Sequence, residues 1–216
     1  MDPLRLYQER IVEGIGNSLL ITFGAVVVGI GLGMVLAIGR ASTRWWIALP
    51  TRLVVDLGRA VPLLPVMYVV YFGVLAAGIP IQPEEAGILA IGPGLACYMA
   101  EIYRAGFASV PHGPEEAGFA LGMSPWRVRV RVTLPLAIIA MLPALGQRVV
   151  GTLLDSSIVS AIGAREITGV SRNIIDVYFA TSLWWIVAGT YLMIAFPVSR
   201  VFAYLERRFT VTALDR

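Results

Sequence analysis

Lysine is missing from this sequence, so its 17 basic side chains other than His112 are all arginines. A phosphate-binding loop needs a lysine to reach the nucleotide phosphates. The chain therefore has no ATPase site of that kind, is not expected to be an enzyme, and leaves any nucleotide hydrolysis to a partner. Cysteine is nearly as scarce. Cys97 is the single one, which excludes an internal disulfide, and its place inside an apolar run predicts a small buried hydrophobe. The only histidine, His112, has no co-ligands near it in the sequence and reads as a solvated loop residue, so no metal site is predicted. Charge is sparse too: 14% of the 216 residues are charged against 57% hydrophobic, with a mean hydropathy of +0.78. That balance excludes an ordinary soluble domain and predicts an integral membrane protein in contact with lipid; no nucleic-acid partner is expected. No repeat, low-complexity tail or second soluble domain is apparent.

What is present is a series of apolar runs. Asp2-Pro3 predicts a cap and first turn, and Leu4, Gln8, Ile11, Val12 and Ile15 recur at helical spacing among Arg5, Glu9 and Arg10, which predicts a short N-terminal interfacial helix. It lacks the apolar segment and cleavage site of a signal peptide. Leu19 to Gly39 then runs 21 residues without a charge, enough to cross about 30 Å of hydrocarbon. Gly24, Gly29 and Gly33 in it predict close approach of another helix. Five transmembrane helices are expected, at about 17–40, 60–79, 86–108, 134–162 and 177–200, in one all-α bundle spanning 1–216. Pro62 and Pro65 predict kinks near the start of the second. Gly92-Pro93-Gly94 predicts weakened helical continuity in the third, tolerable only beside protein or water. Arg40, Arg44 and Arg52 follow the first span with Trp45 and Trp46, whereas the loop after the second carries Glu84 and Glu85 and no arginine. By the positive-inside rule the arginine-rich loops are cytoplasmic, placing the amino terminus outside and the carboxyl terminus, with Arg200, Arg207 and Arg208, inside. Residues 163–176, mixed in sign, read as an external loop.

Between the third and fourth spans lies EAGFALGMSPWRVRVRVTLP, residues 116–135. Pro114 predicts a helix start, with Glu115 and Glu116 in the first turn, where the helix dipole favours anions. Gly122 predicts a left-handed turn that ends this helix, and Ser124-Pro125 a cap and first position for the next. The result is a cytoplasmic hairpin over 113–131. Arg127 to Val132 alternates with period two like a strand, but the proline start and the absence of a partner strand favour a helix.

Intramembrane charges are costly and mark function or pairing. Glu101 and Arg104, three apart, either pair with each other or serve a transport path. Gln147, Arg148 and Asp155 lie in the fourth span beside Ser156 and Ser157. Seven residues separate Arg148 from Asp155, which places them on one helix face about 10 Å apart. They form either a transient substrate site or buried ion pairs that hold the bundle.

The hairpin resembles the coupling loop of bacterial ABC importer permeases at Glu116, Ala117, Gly122, Leu134 and Pro135. It departs from that motif at Gly118, where alanine is usual, and at Val132, where isoleucine is usual. Further stretches resemble the histidine, glutamine and arginine importer branch: Arg59, Pro62, Leu63 and Leu64, then Tyr71-Phe72-Gly73; Tyr98, Ala100, Glu101, Ile102, Tyr103 and Arg104; Val110, Pro111 and Gly113; and Leu153, Asp155, Ser157, Val159, Ser160 and Ile162. Leu154, Ser156 and Pro114 depart from its usual lysine, threonine and glutamine, and Arg148 stands at a position of no fixed type.

The resemblance implies the type I ABC importer permease fold in a bacterial inner membrane. It implies a second permease chain, identical or related, two ATPase subunits that bind ATP and Mg, an extracytoplasmic solute-binding protein, and inward movement of a polar amino acid or similar small solute by alternating access. No cofactor is implied on this chain itself. Glu115, Glu116, Ala117, Gly118, Ala120, Leu121, Gly122, Leu134 and Pro135 would couple to the ATPase. Tyr98, Glu101, Gln147, Arg148, Asp155, Ser156 and Ser157 would form the substrate path. Broken helices with midplane charges also suit an ion-coupled secondary carrier, but that reading has no use for the glycine-turned hairpin and expects an inverted repeat; a non-transporting membrane scaffold leaves the intramembrane charges unexplained.

Overall fold

The computed structural model describes residues 3–214, and among these the regular structure is helical throughout. The first helix, α1, is Pro3–Arg40, 38 residues without a break, or about 57 Å at 1.5 Å per residue. A separate interfacial helix is therefore not formed, and the predicted cap Asp2 lies outside the described residues. The correction has a packing reason. Nothing between Gly14 and Ser18 stops a helix, and the stripe Tyr7, Gly14 and Ser18 is buried. Tyr7 joins a cluster with Ile167, Ile174 and Tyr191, so protein holds one side of the first turns.

Helix α4, Pro83–Ala108, lies parallel to α1. A Cβ added at Gly24, Gly29 or Gly33 would sit 2.7, 2.6 or 2.6 Å from Ile88, Leu95 or Met99. Side chains of α4 thus rest on the backbone of α1. Where lipid is as apolar as leucine, such van der Waals contact takes the place of the hydrophobic drive. The same contact explains why Gly92-Pro93-Gly94 does not interrupt α4. Pro93 removes one backbone bond, but Val28 of α1 occupies the space a Cβ on Gly92 would need, at 2.7 Å, and so supports the segment from outside. Gln82 N–H donates to the Glu85 carboxylate at the start of the helix, 3.1 Å.

The stretch after α1 differs more from expectation. Trp45–Ala60 forms α2 and Leu63–Ala76 forms α3, bent by 104° at the break between them. The predicted second crossing is thus a bent pair, with α3 alone only 14 residues long. The bend falls at Val61, whose φ −79°, ψ 130° is extended, because a residue before proline avoids the helical region. Pro65 makes no kink. It lies in the first turn of α3, where its missing N–H would have had no partner.

After the third span come α5, His112–Ala120, and α6, Pro125–Val128. A π-helical segment, Arg129–Thr133, leads into α7, Leu134–Asp155, and a 3₁₀ segment, Ser156–Ile162, ends at Gly163 with φ +93°. Residues 163–176 are not simply a loop, because Ile167–Tyr178 is helix α8. Its N-cap, Glu166, is wholly buried and fully engaged. The carboxylate accepts from Thr168 N–H at 2.9 Å, Gly169 N–H at 2.7 Å and Ser18 Oγ at 3.5 Å, and also from the Tyr191 hydroxyl. One acidic side chain thereby ties α8 to α1 and to α9, Leu183–Leu214. Among the described residues four helices are long and apolar enough to cross a membrane, five if α2 and α3 count as one broken span.

Replacing Gly33 with Ile should lower the thermal unfolding midpoint in detergent, since forcing side-chain atoms into a packed contact costs about 1–3 kcal/mol. Gly31, with open space around it, is the control position; equal midpoints for the two variants would refute the close-packing account.

Candidate functional site

Between α1, α2, α3, α4 and α7 lies a cavity of about 840 Å³. Its walls are mainly aliphatic, with Leu32 and Val35 from α1, Val54 from α2, Val66 from α3 and Leu95 from α4. Three charged groups and one phenol interrupt them: Arg59, Arg148, Asp155 and Tyr98. Arg148 and Asp155, two turns apart on α7, meet with Nη2 to Oδ2 at 3.8 Å. The guanidinium of Arg148 also stands 4.1 Å from the centroid of the Tyr98 ring, and that of Arg59 stands 5.6 Å from the same ring. The Tyr98 hydroxyl donates to the Arg59 carbonyl at 3.2 Å. Tyr98 therefore holds two cations in place through one aromatic ring, a contact that strengthens when water is excluded.

A second charged group begins one turn further along α4. Arg40 Nη1 approaches Glu101 Oε2 at 2.9 Å, Arg59 Nη1 lies 3.8 Å from the same oxygen, and Arg104 Nε donates to Oε1 at 3.1 Å. Asp56 adds a contact to Arg40 at 3.6 Å. Glu101 thus joins α1, α2 and α4 and does not line the cavity. Arg59 belongs to both groups, so an unbroken line of charges and one ring runs from Asp155 through Arg148, Tyr98 and Arg59 to Glu101. Arg59 and Arg40 were missed as members because their partners are distant in sequence.

The remaining residues predicted for the path are dispersed. Gln147 is exposed and does not line the cavity. Ser156 is buried, with its hydroxyl donating to Leu153 O at 2.7 Å, and Ser157 likewise donates to Leu154 O. Ser157 borders a different cavity, against α9. The change from α to 3₁₀ geometry at Ser156 alters the angle per residue, so an α-helical wheel misplaces everything beyond Asp155.

The hairpin forms a second surface. Helix α5 begins two residues before Pro114, which occupies its first turn, and Gly122 adopts φ +73°. Ser124 is the extended N-cap of α6, but its side chain makes no capping bond. Gly118 is buried, and a Cβ there would stand 3.1 Å from Val128 Cγ2. This close contact is where the usual alanine would be crowded. Glu115 turns inward and accepts from Thr133 Oγ1 at 2.6 Å. Glu116, Ala117 and Ala120 are exposed, and so are the large apolar residues Phe119, Leu121 and Trp126, at 50%, 82% and 72%. Exposed apolar side chains this close together mark a surface that awaits a partner. Phe119 and Trp126 belong to this face as much as Leu121 does. Leu134 and Pro135 are exposed at the start of α7.

Known proteins resemble this chain over most of its length. The family model described as binding-protein-dependent transport system inner membrane component matches residues 29–211. The octopine transport system permease protein OccM of Rhizobium radiobacter is 34% identical over 238 residues, covering 100% of this chain and 96% of its own. The glutamine transport system permease protein GlnP of Escherichia coli K12 is 33% identical over 205 residues, covering 93% of each. A crystal structure of an amino acid ABC transporter with histidines aligns with a TM-score of 0.87 at 31% identity, over 96% of this chain and 99% of that one. The MetNI methionine ABC transporter in an inward-facing conformation shares the fold, with a TM-score of 0.75 at 19% identity over 97% and 99%.

Tyr98→Phe should cost less stability than Tyr98→Leu, because phenylalanine keeps the ring between the two guanidinium groups and loses only the hydroxyl bond. A double-mutant cycle with Arg148→Met should give a coupling of about 1 kcal/mol for the ring; additive effects would show that Tyr98 and Arg148 act independently.

Proposed function

The chain belongs to the family of binding-protein-dependent transport system inner membrane components, the permease part of ABC importers, and from this premise we propose that it carries a polar amino acid or related solute inward. The observation that carries the proposal is the pairing of Arg148 with Asp155 at the wall of the cavity. An amino acid brings one carboxylate and one ammonium group, and the two side chains offer the complementary charges a short distance apart. Tyr98 orients the cation, and the mainly aliphatic walls lower the local dielectric, which strengthens both contacts. The pair then alternates between closing on itself and opening to a substrate. The relatives include glutamine and octopine permeases, whose named cargoes carry the same two groups. They give no support to an ion-coupled carrier or a passive scaffold.

In this reading two such chains, identical or related, flank the path, and two ATPase subunits bind ATP and Mg on the cytoplasmic side. An extracytoplasmic binding protein delivers the solute, and the chain itself performs no hydrolysis. The exposed apolar face of α5 and α6 fits a groove on the ATPase, with Gly122 supplying the reversal between them. The arginine-bearing ends of α1, α2, α6 and α9 support an orientation with the amino terminus outside and the hairpin inside.

Neutralising the pair with Arg148→Met and Asp155→Asn should abolish uptake of a mixture of radiolabelled polar amino acids and the ATP hydrolysis they stimulate, in proteoliposomes containing the whole transporter. Unaltered uptake would eliminate these residues from the path. The chain should also copurify with an ATPase. Gly122→Val, which forces a β-branched residue into a left-handed turn, should reduce that copurification while membrane insertion stays normal; full retention would contradict the docking model.

A further inference from the structure

The joint between the hairpin and α7 is an unusual piece of backbone. From Arg129 to Thr133 the chain is π-helical, and Leu134 N–H donates to the Arg129 carbonyl, five residues back. Pro135 accounts for it. Its nitrogen has no hydrogen to give the Arg131 carbonyl, and its ring would strike that oxygen in a regular α-turn, so the turn before it widens. A π turn is rare, and it is the place where a long helix most readily changes its register. Here it lies between the surface offered to the ATPase and the helix that carries Arg148 and Asp155. Left alone, such a joint would absorb motion of the hairpin.

Two contacts brace it. On the apolar side Gly118 of α5 packs on Val128 at the end of α6. On the polar side Thr133, the last residue of the π segment, donates its hydroxyl to Glu115 of α5 at 2.6 Å. Thr133 is 8% exposed, so this bond to a carboxylate lies largely out of water, where a charge-assisted bond is stronger than average. It spans the hairpin from the first turn of α5 to the end of the π segment, immediately before α7, bypassing the Gly122 turn and the four-residue α6.

We propose that the Glu115 to Thr133 bond is a latch that stiffens the π joint, making α5, the turn and α7 move as one lever. Thr133 is a positioning residue: it does not face the ATPase groove and does not line the cavity. Glu115 acts through it, and this is distinct from the outward role of Glu116. The proposal rests on the importer reading for its functional consequence, though the latch itself is a property of this chain.

The test uses the whole transporter in proteoliposomes, with uptake of the radiolabelled amino-acid mixture and ATP hydrolysis measured together. Thr133→Val keeps the shape and removes the hydroxyl. Uptake per ATP should fall about tenfold, the order of one hydrogen bond to a charged group, while the ATPase still copurifies. Thr133→Ser keeps the donor and should retain the wild-type ratio. A second measurement needs no partner. Spin labels at the exposed positions His112 and Ile138, in a Cys97→Ala background, should give one narrow distance in the wild type and a broadened one in Thr133→Val. An unchanged ratio and a narrow distance in Thr133→Val would overturn the latch, as would equal losses in the valine and serine variants. If the wild type retains no ATPase, the importer reading fails, and the label distances alone decide the latch.

Discussion

The rest of the structure depends on how closely α1 and α4 lie together. With Gly24, Gly29 and Gly33 presenting bare backbone to Ile88, Leu95 and Met99, the two helices form one unit that neither lipid nor thermal motion easily separates. That unit holds Pro93 within a continuous helix and carries two walls of the cavity. It also fixes the distance between Arg40 and Glu101, so the charged group at the arginine-rich end follows from the same contact. Membrane interiors provide little hydrophobic drive between helices, and shape therefore decides which pairs persist.

Against this unit the other elements are held by a few polar side chains. Glu166 fastens α8 to α1 and α9, and Glu101 gathers three arginines from three helices. Each charge out of water needs compensation, and the partners come from elements far apart in the chain. Arg59 and Tyr98 connect the Glu101 group to the pair on α7. A change in the engagement of Arg148 would therefore be felt at the end of the bundle that carries the hairpin, through contacts of a few ångströms instead of through a long displacement.

The hairpin reaches the cavity by the other route, along the backbone of α6 and α7. Its exposed Leu121 and Trp126 are costly unless covered, and its buried Gly118 and inward Glu115 serve its own rigidity. Residues of one short motif thus divide between an outward and an inward role. Pro135 gives the motif a physical meaning at a distance, since it produces the π turn that makes a brace necessary.

Much of this was legible from the residues alone. Long uncharged runs and Gly122 before Ser124-Pro125 depend on local chemistry or on composition, and they led to a helical membrane bundle with a glycine-turned hairpin. Seven-residue spacing brought Arg148 and Asp155 together because α7 is regular between them. Other signals were present but outweighed: Ile167, Val170 and Ile174 recur at helical spacing behind Glu166, yet their mixed-sign neighbours read as a loop. The tertiary structure alone decided the uninterrupted α1, the support of Pro93, and the pairing of Glu101 with Arg40 and Arg59. Each of these depends on what a distant segment places beside the residue, and backbone preferences of a fraction of a kcal/mol to about 3 kcal/mol yield to packing when a neighbouring helix fills the space.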